Sequence, residues 1–141
     1  MGPPLSDEPG FVEVEHTADW AIRVRGVTLP ELFVNAAAGM YSLMADLSAV
    51  APSVECAIQV RGVDAEALLV NWLNELVYHT EMDGVVFGEF HIGSFEPTHL
   101  CAMVRGGRGV QLKKQIKAVT FHDLRIEATD LGLEATIVFD V

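Results

Sequence analysis

The residues of this chain that could do chemistry begin with two acids far apart in sequence. Asp19 closes the run Glu15-His16-Thr17-Ala18-Asp19, between two strand-like segments, and Asp140 lies in Phe139-Asp140-Val141 at the other end of the chain. They converge, with the terminal carboxylate of Val141, only if the first and last strands are neighbours. Together such hard oxygens suit Ca²⁺, Mg²⁺ or Mn²⁺. Asp19 stands beside Trp20 and an apolar strand, where a carboxylate needs a partner, either a cation or the backbone amides of a turn. His16 fits two roles: orienting Asp19 from behind, or a hinge histidine bonded to backbone. His122, followed by Asp123, poses the same choice. His79, His91 and His99 read as ordinary surface or core histidines. No two histidines have the i, i+4 spacing of a zinc helix, and no Gly-x-Ser-x-Gly, Walker or Cys-x-x-Cys motif is present.

Such residues must be positioned by a fold, and 141 residues, 50% of them hydrophobic, suffice for one domain with a real core. The formal net charge of -11 argues against gripping nucleic acid directly, which needs a basic face. It suits cations or a basic protein partner. Cys56 and Cys101 lie isolated in apolar strand-like runs and read as reduced thiols of a cytoplasmic protein. No apolar stretch is long enough for a membrane span, so no membrane partner is expected. Residues 1–10, rich in Pro, Gly and acids, read as a flexible leader to a single domain at 11–141.

Alternation marks strands at Phe11–Glu15 and Asp19–Gly26. Thr28-Leu29-Pro30-Glu31 carries a helix start: a Thr cap, Pro in the first turn and Glu at N3. The helix buries Leu32, Phe33, Ala36, Ala37, Met40, Leu43 and Met44 and ends near Asp46. After a strand over Val54–Arg61, a second helix is capped by Asp64 and turns Leu68, Leu69, Trp72, Leu73, Leu76 and Val77 inward. It stops near Gly84, a C-terminal glycine. Strands follow at Val85–Phe95, His99–Arg105, Leu124–Ala128 and Leu133–Phe139. The fold class is α+β, a two-layer sandwich with a largely antiparallel sheet and two helices on one face.

One regularity sharpens this. Ala21-Ile22-Arg23-Val24-Arg25-Gly26-Val27 reappears as Ala57-Ile58-Gln59-Val60-Arg61-Gly62-Val63, and Leu32, Val34 and Asn35 fall against Leu68, Val70 and Asn71. The pattern implies a duplicated strand-turn-helix unit. The basic stretch from Arg105 to Lys117 reads either as a patch facing RNA or nucleotide, or as a solvated loop; its Gly106-Gly107-Arg108-Gly109 reads as a hairpin or loop.

Several motifs, in order, resemble the archease family: His16-Thr17-Ala18-Asp19, Met40-Tyr41-Ser42-Leu43-Met44-Ala45-Asp46 and Leu68-Leu69-Val70-Asn71-Trp72-Leu73-Asn74-Glu75-Leu76. Lys117-Ala118-Val119-Thr120-Phe121-His122-Asp123-Leu124 and Phe139-Asp140-Val141 complete the set. The resemblance implies a non-catalytic activator of an RtcB-type, GTP-dependent RNA ligase in tRNA splicing. Such a protein promotes guanylylation and multiple turnover of the ligase, and meets tRNA only through it. It also implies a bound divalent cation, Ca²⁺ first, on Asp19 and Asp140 with Val141 as a further ligand. Lys117 matches the family's functional lysine, which would touch phosphate or a ligase carboxylate as a point charge. The His-Glu pair that family members carry shortly before this lysine is missing from Arg108–Lys114. Two other readings of the residues are a chaperone-like binding module with a structural cation and a small metal-dependent phosphohydrolase.

Overall fold

The computed structural model describes residues 10–15 and 20–141, so His16 and Asp19 lie outside the described residues. Among the described residues, eight strands and two α-helices follow in the order β1 (Phe11–Glu15), β2 (Trp20–Gly26), α1 (Leu29–Met44), β3 (Val54–Arg61), α2 (Ala65–Asp83), β4 (Val85–Glu96), β5 (His99–Arg108), β6 (Ala118–Thr120), β7 (Glu127–Thr129) and β8 (Gly132–Asp140). Every strand pairing is antiparallel, and the class is α+β. The strands form two sheets. One runs β1-β2-β8-β6 with β7 also on β8, and the other runs β3-β5-β4.

Both helices begin as the sequence dictates. Thr28 accepts from Glu31 N–H at 3.3 Å and Asp64 from Ala67 N–H at 2.8 Å, satisfying amides that a first turn leaves orphaned. Gly84 ends α2 in the left-handed region at φ 68°, where a Cβ would be strained. α1 contacts strands of both sheets, β2 and β4, and α2 contacts β3, β4 and β6. The apolar stripes of the helices meet the inner faces of the sheets in one core, with Trp72, Tyr41, Phe33, Phe87 and Phe139 fully buried. Two polar tips tie the helices together. Trp72 Nε1 donates to Phe33 O at 3.0 Å, and the Tyr41 hydroxyl donates to Leu76 O at 3.0 Å. Thr80 Oγ1 lies 2.6 Å from the same hydroxyl. Bonded this way, the rings bury their area without orphaning a donor.

The duplication is legible in atoms. Asn35 Nδ2 donates to Arg25 O, and Asn71 Nδ2 to Arg61 O, each at 2.7 Å. At both Gly26 and Gly62 an added Cβ would stand 2.4 Å from a helix amide, that of Leu32 or Leu68. Glycine is required here by close backbone approach. The two copies lie in different sheets, since β2 pairs with β8 while β3 pairs with β5.

Candidate functional site

β8 is the organising element. It lies between β2 and β6, and its inward residues Ala135, Ile137 and Phe139 are buried. Its last residue, Asp140, is exposed, and Val141 is half-buried against the core. The Asp140 carboxylate makes no ion pair or hydrogen bond with any described side chain. Its carbonyl accepts the backbone N–H of Lys117 at 2.8 Å, and Ala118 pairs with it in register.

On the other side of β8, Phe139 pairs with Trp20, the residue that follows Asp19 in sequence. The second strand, β2, and the last, β8, are therefore neighbours, while β1 lies outside β2 on the far side from β8. The Lys114 ammonium sits 3.7 Å from the centre of the Trp20 ring, a cation–π contact. Ile116, fully buried, pins the chain between Lys114 and the exposed Lys117. Upstream, Lys113 N–H donates to Met44 O, at the end of α1, at 2.6 Å. The basic stretch is thus fixed at both ends, and its Lys114 and Lys117 adjoin the Trp20–Asp140 edge.

β6 is held from the opposite side by a side chain. Asn74 of α2 accepts from Val119 N–H at 2.8 Å and donates to Val119 O at 3.2 Å, doing for β6 what another strand would do. Thr120 Oγ1 donates to Val138 O at 3.2 Å and accepts from His122 N–H at 3.2 Å. The chain then turns, with Leu124 N–H on Phe121 O at 3.0 Å and Asp123 at φ 53°. A left-handed aspartate is uncommon but tolerated in a turn, because its short side chain can bond locally. His122 Nε2 faces Asp123 Oδ2 at 3.2 Å, with both side chains largely exposed.

These positions divide the expected site residues. Lys117, Asp140 and Val141 share one end of β6 and β8. His122 and Asp123 lie at the far end of β6, past Thr120, which pairs with Val138. That is on the order of 10 Å further along the strand. There Asp123 lines a cavity of about 220 Å³ with Arg23, Arg125, Glu127 and Glu134. Among the described residues, no three His, Cys, Asp or Glu groups gather as a metal site. Asp140 on its own offers hard, unpartnered oxygens that fit a divalent cation needing further ligands.

Asn74 is the positioning residue that sequence reasoning missed; its signal was a polar residue within the α2 motif. His79 was also under-read. It lies 3.4 Å from both Glu75 and Asp83, each four residues away on α2, and its ring nitrogens are 3.8 and 3.9 Å from Cys56 Sγ. Burial pushes the Cys56 thiol up, and Asp83 and Glu75 add to the shift.

The comparisons agree with this architecture. A model described as the archease protein family (MTH1598/TM1083) matches residues 11–141. The chain belongs to the archease family. It is 36% identical over 132 residues to the Protein archease of Archaeoglobus fulgidus, covering 91% of this chain and 96% of that one. To the Methanopyrus kandleri archease it is 34% identical, covering 92% and 97%. The solution structure of Methanobacterium thermoautotrophicum protein 1598 superposes with a TM-score of 0.79 at 29% identity, over 95% of this chain and all of that one. The crystal structure of a Thermotoga maritima archease, described as a possible chaperone, shares the fold with a TM-score of 0.69 at 22% identity.

Proposed function

We propose that this archease is a non-catalytic, cytoplasmic activator of an RtcB-type, GTP-dependent RNA ligase. It would promote ligase guanylylation and repeated turnover in tRNA splicing or RNA repair, and would meet RNA only through the ligase. The observation that carries the reading is the backbone bond between Lys117 and Asp140, which sets an ammonium beside a carboxylate that has no partner among the described residues.

In this reading Asp19, Asp140 and Val141 hold a divalent cation, Ca²⁺ first, with Mg²⁺ or Mn²⁺ suited to the same oxygens. When bound, the cation offsets the repulsion between the carboxylates and offers positive charge to phosphate oxygens. Lys117 supplies a mobile point charge for a phosphate or for a ligase carboxylate. His16 lies beside Asp19 in sequence and orients it. His122 and Asp123 form a second contact point with the ligase, further along the same edge of β6.

The test is RNA ligation by the cognate ligase at limiting enzyme with GTP, with and without this protein. Many products per ligase only in its presence support the reading. Unchanged turnover would replace it with the chaperone-like binding module, a role that the description of the Thermotoga maritima relative favours.

A further inference from the structure

The outward face of the three-stranded sheet, β3-β5-β4, plays no part in the edge at Asp140. Its central strand presents His99, Cys101 and Met103 on that side, while Leu100, Ala102 and Val104 point into the core. Met103 stands in register with Ala57 on one side and His91 on the other, and Cys101 with Gln59. Cys101, Met103 and His91 line one open cavity of about 560 Å³, with the small residues Ala57 and Gly93 beside them. Met103 is 39% exposed, unusual for a large apolar side chain on a central strand. The His91 imidazole is exposed and has no hydrogen-bond or ion-pair partner among the described residues.

The spacing brings these donors within reach of one ion. Residues two apart on a strand lie about 6.8 Å apart, and a cross-strand pair has Cβ atoms about 5 Å apart. From those positions a thiol, a thioether and an imidazole can meet at bond lengths of about 2–2.3 Å. The donor set is two sulfurs and one nitrogen. The carboxylates at one end of this face, Glu55 and Glu89, are turned to Arg105, at 3.7 and 4.0 Å. His99 lies 3.9 Å from Cys101 Sγ, but its Nε2 accepts from Gln59 Nε2 at 3.1 Å, which leaves His91 as the available imidazole. Soft thiolate and thioether ligands select Cu(I) and disfavour Ca²⁺ and Mg²⁺. We propose that Cys101, Met103 and His91 form a surface site for a soft monovalent cation of the Cu(I) class. Binding replaces the thiol proton of Cys101 with the metal and releases that proton to solvent, with no change of oxidation state.

The test titrates the full chain with Cu(I), anaerobically, against a chromophoric Cu(I) chelator. One equivalent is expected to be held. Met103→Leu and His91→Gln should each weaken it by about tenfold or more, and Cys101→Ser should abolish it. Cys56→Ser and Asp140→Asn should leave the affinity unchanged. Met103 and His91 are exposed, so their variants keep the fold, which circular dichroism checks. Absence of binding, or binding that survives Met103→Leu and His91→Gln unchanged, overturns the site. Binding that follows Cys56 does so equally. Oxygen ligands do not compete for Cu(I), so the outcome is independent of whether the protein activates a ligase.

Discussion

The backbone amide of Lys117 donates to the carbonyl of Asp140 over 2.8 Å, so the two residues are coupled through main chain rather than through their side chains. Either side chain can therefore be changed without moving the other. Charge and position become separable in experiment, and the first prediction uses that separation.

Asp140→Asn keeps the backbone bond and the size of the side chain while removing the charge. Its carboxylate is exposed and unpartnered among the described residues, so stability should change by no more than about 0.5 kcal/mol. Ligase activation and divalent-cation binding should both be lost. Thermal melts run beside the ligation assay check this. A fall in melting temperature that matches the loss of activation would mean that the residue acts on the fold.

Asn74→Leu removes both bonds to Val119 and leaves its N–H and C=O without those partners. The expected cost is about 2–3 kcal/mol in urea unfolding, with an unchanged denaturant slope. Hydrogen exchange at the Val119 amide should speed up well before global unfolding. Activation should fall as well, because β6 carries the register that places Lys117.

Gly26→Ala and Gly62→Ala each drive a Cβ to 2.4 Å from a backbone nitrogen that cannot rotate aside. Each should destabilise the domain by about 3 kcal/mol, and by similar amounts, since the two sockets are built alike. Paired denaturation curves check it. A large difference between the two variants would show that the copies no longer share one strand-to-helix geometry.

Tyr41 gives a pH dependence. Burial holds its phenol far above the ordinary value of about 10, against the lowering effect of its bond to Thr80. The unfolded chain therefore loses this proton first as pH rises. The stability it contributes is complete below the ordinary phenol value and is lost as pH climbs from there towards the raised folded value. Tyr41→Phe should flatten that part of the stability-versus-pH curve. It should cost about 1–2 kcal/mol at neutral pH through the bonds to Leu76 O and Thr80. Unfolding of both proteins between pH 8 and 11 checks it, on the order of the window set by the ordinary phenol value.

Much of this fold could be read from the chain because local physics fixes it. The Thr28 and Asp64 caps, the Gly84 stop and the paired Gly26 and Gly62 each depend on residues a few positions away. What depends on distant partners was hidden. β6 is a three-residue strand without useful alternation, defined by β8 on one side and Asn74 on the other. The division into two sheets follows from which strand β8 chooses, and alternation does not encode that choice. Within the site, the resemblance named Asp140 and Lys117 together, and the register places them side by side. His122 and Asp123, raised by the residues themselves, are carried by the same register to the other end of β6.

β8 also has a consequence for the order of events in folding. Among the strands of the described residues it is the last in sequence, yet it belongs between β2 and β6. Until it arrives, β1 and β2 form a hairpin whose inner edge lacks its partner, while the second sheet can already close from β3, β4 and β5. Closing the long loop between β2 and β8 makes that step slow compared with the hairpin and the helices. A chain caught before it would expose a strand edge open to intermolecular pairing. The pairing of Trp20 with Phe139 then makes the edge at Asp140 a late product of folding, absent from any intermediate that has only its helices and its second sheet in place.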